Sequence, residues 1–126
     1  MQSVFTPKCA APAGHYSQGM IHNGLVYVSG MLAVKPETGE KMLGPIEEQT
    51  RQALANVDAV LQAAGSSRNR VIKCTCYISD IALWGQVDTV YAEFFGDHKP
   101  ARAVVPTREL HHGFLVEIEC VAAVEE

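Results

Sequence analysis

A chain of 126 residues, 48% hydrophobic and 19% charged, is expected to form a single domain, residues 1–126, with enough apolar material for a core. Its 14 acidic and 10 basic side chains give a net charge of −4 without any basic run, which argues against a nucleic-acid-binding surface because phosphate contacts need clustered Lys or Arg. No apolar run approaches the ~20 residues of a membrane span. The segment Met1–Lys8 lacks the basic and apolar regions of a signal peptide, so a cytoplasmic location and reduced cysteines are expected.

In chain order, the first signal is a hairpin. Ser17 to His22 and Leu25 to Ser29 are β-rich runs separated by Asn23-Gly24, and both turn residues must take positive φ. A second turn follows at Lys35–Gly39. Pro45 to about Ala64 reads as a helix, with Pro45 at the first position, Glu47 and Glu48 against the dipole, and Gly65 at the end. Leu54, Val57, Leu61 and Ala64 make one apolar stripe, with Val60 beside it. Arg70–Ser79 reads as a strand. Alternation puts Ile72, Cys74, Cys76 and Ile78 on one face and Val71, Lys73, Thr75 and Tyr77 on the other. Asp80 is placed to start a second helix over about Ile81–Phe95, with Val87, Val90, Tyr91 and Phe94 inward and Trp84 packing on a helix face. Gly96 and Pro100 close it. Arg102–Thr107 and Phe114–Val124 are the last two strands, and His111-His112 falls in the loop between them.

Two helices with one apolar stripe each cover the same face of one mixed sheet, giving an α+β fold. The other face is left partly bare, with Val71, Tyr77, Leu115 and Val121 on it, and a homo-oligomer that buries it is expected. Cys74 and Cys76 share a strand face as C-x-C and read as small core residues rather than a redox motif. The histidines show no metal-ligand spacing, so neither metal nor cofactor is expected.

Three charges stand out. Arg102 leads an apolar strand, while Glu117 and Glu119 alternate within another. Such groups are costly to bury unless paired or used. One reading is a cross-strand ion pair of Arg102 with Glu117 or Glu119. The other is a pocket in which Arg102 clasps an anionic substrate and Glu117 supplies an acid or base. Arginine suits that task because its planar fork matches a carboxylate with two parallel hydrogen bonds.

The order and spacing of several short motifs carry a further resemblance. They are Gly14-His15-Tyr16-Ser17-Gln18, Tyr27-Val28-Ser29-Gly30, Thr38-Gly39-Glu40, Gln49-Thr50, Asn56 to Gly65, Val71-Ile72-Lys73-Cys74-Thr75, Tyr91-Ala92-Glu93-Phe94-Phe95, Pro100-Ala101-Arg102 and Val116-Glu117-Ile118-Glu119. Over nearly its whole length the chain resembles the Rid (YjgF) family of reactive-intermediate deaminases. The resemblance implies a chorismate-mutase-like fold and a homotrimer with clefts between subunits. It also implies metal-free hydrolysis of 2-enamine or 2-imino acids, of the 2-aminoacrylate type, to 2-keto acids and ammonia. By the same resemblance Arg102 holds the substrate carboxylate, Glu117 works with the attacking water, and Tyr16 stands at the cleft. Gly30, Ala103 and Val104 are then further substrate contacts. The sequence departs from the family pattern at His15, Met31, Asp88 and Val104, which bears on the choice of substrate.

The main reading is therefore an imine deaminase whose partners are small 2-imino or 2-keto carboxylates and copies of itself. A deaminase dedicated to an aminomuconate-like intermediate, a non-catalytic metabolite binder or chaperone, and an endoribonuclease are the alternatives. The last would need a basic, aromatic-lined groove.

Overall fold

Asn23 and Gly24 adopt φ of 51° and 77° and join β2 (Gly19–His22) to β3 (Leu25–Met31) in the expected hairpin. A computed structural model describes residues 1–124. In it, a strand that sequence periodicity does not reveal, β1 (Gln2–Val4), adds to the outside of that hairpin. The remaining elements are α1 (Ile46–Ala63), β4 (Val71–Ile78), α2 (Trp84–Phe95), β5 (Ala101–Pro106) and β6 (Val116–Ala123). They form one six-stranded sheet in the order β1-β2-β3-β6-β4-β5. Only β4 and β5 are parallel, and α2 supplies the crossover that a parallel pair requires.

The helix ends follow local chemistry. Pro45 is the N-cap of α1 rather than its first helical residue, with φ −58° and ψ 149°. At the other end Gly65 has φ +79°, its N–H bonds to Gln62 O, and Ser66 N–H bonds to Leu61 O at 2.8 Å, a Schellman motif that satisfies the last carbonyls. Asp80 accepts from Ala82 N–H at 2.8 Å, but it opens a short 3₁₀ turn, Ile81–Leu83, from which α2 continues.

Both helices lie on one sheet face. Leu54, Val57, Val60 and Leu61 of α1 and Val87, Val90, Tyr91 and Phe95 of α2 share one buried cluster with Val26, Val28, Cys74, Cys76, Ile78, Val116, Ile118 and Cys120 of the strands. Phe95, not Phe94, takes the deepest place at the end of α2, and Phe94 is half-buried. All four cysteines are free thiols in the interior.

The opposite face carries no helix. Register aligns Glu117 with Tyr77 and Val105, Glu119 with Thr75 and Ala103, and Val121 with Lys73 and Ala101, while Tyr27 lies beside Val121. Two residues expected here lie elsewhere. A register shift between Val71 and Lys73 turns Val71 into the core, where it is 2% exposed, and leaves Ile72 49% exposed. Leu115 precedes β6 and packs against the core cluster, with its N–H held by Gln49 Oε1 at 2.9 Å. No helix among the described residues is long and apolar enough to cross a membrane.

Three buried carboxamides fasten the loops. Gln18 accepts from Thr6 N–H at 2.7 Å and donates to the carbonyls of Thr6 and Ala10, pinning the N-terminal loop. Asn56 donates to Leu32 O at 3.0 Å and Val34 O at 2.9 Å, holding the segment after β3. Gln49 donates to Gly44 O at 2.9 Å and, through Leu115, holds the entry to β6. An unpaired buried carbonyl costs about 1–3 kcal/mol. Asn56→Ala is therefore expected to lower unfolding free energy by about 2 kcal/mol in urea titrations, against less than ~0.5 kcal/mol for Gln62→Ala on the exposed side of α1.

Candidate functional site

Those three loops surround a groove of about 920 Å³. Tyr16, Ser29, Gly30, His111, His112 and Glu117 line it, with Glu119, Phe114 and Lys41 also on its walls. Three of the residues singled out from sequence, Tyr16, Gly30 and Glu117, thus meet in one place.

The β3–β6 pairing explains how. The register shifts between Val28, opposite Cys120, and Met31, opposite Ile118, so Ser29 and Gly30 form a bulge facing Glu119. Ser29 is tied to the N-terminal loop by Ser29 N–H to Gln18 O at 3.0 Å and Ser29 Oγ–H to Ser17 O at 2.6 Å. The Glu117 side chain lies across Gly30. A Cβ at position 30 would fall on Glu117 Oε2 and within 3.0 Å of Cδ, so only glycine leaves room for the carboxylate. Tyr16, 50% exposed, curls over its own turn, and its hydroxyl accepts from Ala13 N–H at 3.3 Å.

The two carboxylates differ in electrostatics. Burial first, and the charge of Glu119 second, push the Glu117 carboxyl above the usual range, with His111 acting in the opposite sense. No protein hydrogen bond contributes to the shift. Glu119 instead accepts the Tyr77 hydroxyl, and this bond raises the Tyr77 phenol above its ordinary value. Glu117 is therefore the carboxylate left open to a ligand, and it is drawn toward taking up a proton.

The histidines were assigned only to a loop by sequence. Here they border the groove, with rings stacked at 3.7 Å between centroids and His112 at φ 58°. Desolvation first, and the charges of His111 and Lys41 after it, lower the His112 pKa. Although His111, His112, Glu117 and Glu119 all touch the groove, no group of three or more potential metal ligands is assembled among the described residues.

Arg102 is elsewhere. It pairs with Cys74, whose other neighbour is Cys120, and so points to the helix-covered face, while Glu117 belongs to the open face with β4 in between. The cross-strand pair of Arg102 with Glu117 or Glu119 does not form. Its Nη1–H donates instead to Asp88 Oδ1 on α2 at 2.7 Å. The guanidinium also lies 4.8 Å from the Tyr91 ring centroid and 5.3 Å from that of Trp84. Trp84, expected to pack on a helix face, is 41% exposed and lies against the guanidinium. The guanidinium is consequently not free of protein partners, as an unencumbered clasp would be. Ala103 faces the open side, Val104 packs against the core, and both belong to the edge strand β5, whose outer backbone groups have no strand beside them. Within one chain, then, Arg102, Ala103 and Val104 form one group, and Tyr16, Gly30 and Glu117 another.

Comparison with known proteins supplies the frame for these two groups. The family model described as endoribonuclease L-PSP matches residues 7–124. A RutC family protein of Pyrococcus horikoshii is 42% identical, with 94% of each chain covered. The rat 2-iminobutanoate/2-iminopropanoate deaminase is 35% identical over 94% of this chain and 87% of its own. A Yersinia pestis structure of the Rid protein family, itself described as of unknown function, superimposes with a TM-score of 0.95 at 40% identity over 98% of both chains. A near-complete family match, two curated relatives and this shared fold agree: the chain belongs to the Rid (YjgF) family.

Proposed function

We propose that this protein hydrolyses short-lived 2-imino acids and their enamine tautomers to 2-keto acids and ammonia, in a site completed between chains of a homotrimer. The observation that carries the reading is the state of Glu117: a half-buried carboxylate, raised in pKa, without a hydrogen-bond partner among the described residues and seated over Gly30 in an open groove. Perturbed groups of this kind in a cleft mark catalytic positions. The rat relative's name supplies the substrate class.

The two residue groups of one chain suit an arrangement in which the β5 edge of one subunit faces the groove of the next. Arg102 would then anchor the substrate carboxylate beside Glu117 of a neighbouring chain. The helix-free face, with Tyr27 48% and Val105 38% exposed, is the surface such an assembly would cover. The Asp88 contact occupies one Nη1–H of Arg102, and Nε and Nη2 have no protein acceptor among the described residues.

The chemistry follows from these groups. The anchored carboxylate fixes the adjacent C=N carbon. With the C=N group protonated as the iminium, Glu117 takes a proton from water as the oxygen bonds to that carbon, giving a neutral carbinolamine. It returns this proton to nitrogen and then takes the hydroxyl proton as the C–N bond breaks, so that ammonia leaves, the keto acid remains, and the proton passes from Glu117 to ammonia or solvent. Tyr16 orients substrate or water from the rim.

The family model's description favours a second reading, cleavage of RNA. A groove holding two carboxylates in a chain of net charge −4 is a poor host for phosphates. Degradation of RNA that tracked point variants of the groove would restore that reading.

The deaminase reading is tested by generating imines with an amino-acid oxidase and timing their loss by semicarbazide trapping. Arg102→Ala is expected to reduce kcat/KM at least about 100-fold, as for a lost charge-assisted anchor of ~3 kcal/mol; wild-type kinetics in that variant would reject the assignment. Gly30→Ala, which displaces the Glu117 carboxylate, should lower kcat by roughly 10–100-fold while the protein still folds as a trimer by light scattering. Glu117 also carries a pH signature. Because its folded pKa is raised, its contribution to stability is full below the ordinary carboxylate pKa and is lost as pH rises through the raised one. Glu117→Gln should therefore be more stable than wild type at pH 7, equal to it near pH 3, and roughly 100-fold or more slower; paired thermal melts at the two pH values check the first part.

A further inference from the structure

Arg102 owes its direction to one face of α2. Trp84, Asp88 and Tyr91 lie four and three residues apart, the spacing that stacks side chains along a helix. Each touches the guanidinium: Asp88 through the 2.7 Å hydrogen bond, and Tyr91 and Trp84 through their ring faces at 4.8 and 5.3 Å. Both ring distances are within the ~6 Å reach of a cation–π contact. Tyr91 is itself fixed, 6% exposed and against Phe95 with ring centroids 4.6 Å apart.

Stability does not account for this arrangement. The Asp88 side chain is 42% exposed, and an ion pair at that exposure contributes little to stability. Core packing accounts for Tyr91 but not for Trp84, which is 41% exposed. The contacts do restrict geometry. A free arginine side chain samples many rotamers, and ordering it costs that freedom. The two rings flank the guanidinium, and Asp88 holds one corner of it by taking an Nη1–H.

We infer that Asp88 is a positioning residue: with Trp84 and Tyr91 it aims Arg102 so that the remaining donor edge is presented, ordered in advance, to a substrate carboxylate. This rests on the reading of Arg102 as the substrate anchor. Asp88 touches no substrate and acts only through the guanidinium. Its carboxylate also offsets part of the arginine charge, so geometry, more than net charge, is what the arrangement offers an incoming anion. An asparagine at position 88 keeps an oxygen acceptor in the same place and loses the charge, whereas alanine loses both, and this separates aim from charge.

The test compares Asp88→Ala, Asp88→Asn and Arg102→Ala in the full-length protein. Three readouts are used: steady-state imine hydrolysis, the Kd of 2-oxobutanoate by calorimetry, and the mobility of the Arg102 Nε–H group by ¹⁵N relaxation. Asp88→Ala is expected to raise KM and Kd about tenfold with kcat changed less than about threefold, and to make the Nε–H group mobile. Asp88→Asn is expected to restore all three to within about twofold. Wild-type KM, Kd and relaxation in Asp88→Ala overturn the inference, as does an Asp88→Asn variant that behaves like alanine. Unchanged turnover in Arg102→Ala would instead reject the deaminase reading, while relaxation still reports directly on whether Asp88 orders the arginine.

Discussion

The burial of a single sheet face under two helices is the constraint from which the remaining features follow. Because strand residues alternate, β6 sends Val116, Ile118 and Cys120 into the core and Glu117, Glu119 and Val121 to the other side. The same alternation across β4 and β5 sends Arg102 toward the helices. Two charges on strands of the same sheet are thereby assigned to opposite environments: one under α2, where aromatic rings and Asp88 receive it, and one over the β3 bulge, where a glycine leaves room. A slip of one residue in either strand would exchange these environments.

The groove is made from loops, yet it is not loosely built. Gln18, Asn56 and Gln49 reach from the interior to backbone atoms of the loops that flank it, so each wall is held by hydrogen bonds from a buried side chain. A protein with a small core thus gives much of its buried polar capacity to fixing the surroundings of Glu117. This arrangement suits a site that must hold a carboxylate in a costly state of partial desolvation.

Much of this was legible in the chain. Asn23-Gly24, the 3–4 spacing of α1 and the alternation of β6 gave the hairpin, the helix and the two carboxylates on a common face. Tyr16, Gly30 and Glu117 were known together through family resemblance, and the structure gathers them. What was not legible depended on contacts distant in sequence or on local irregularity. The shift at Val71 reverses the inward side of one strand end, and alternation contains no mark of where it breaks. The strand Gln2–Val4 is too short to show a period. Asp88 gave no sign of being the partner of Arg102, because β5 comes under α2 only through the parallel crossover. His111 and His112 are brought to the groove by a turn that ends at Gly113 with φ +81°, a geometry that their spacing could not announce.

The placement of sulfur has a chemical consequence. Cysteine reacts with electrophiles as the thiolate, so an exposed thiol of low pKa beside a groove is open to modification by whatever electrophile enters it. Cys9 lies behind the groove wall, 2% exposed and 3.6 Å from the thioether of Met31, and burial holds its thiol protonated up to about pH 11. Cys120 is likewise buried, with its pKa pushed up. The fold thereby withdraws these two thiols both from solvent and from any electrophile that enters the groove.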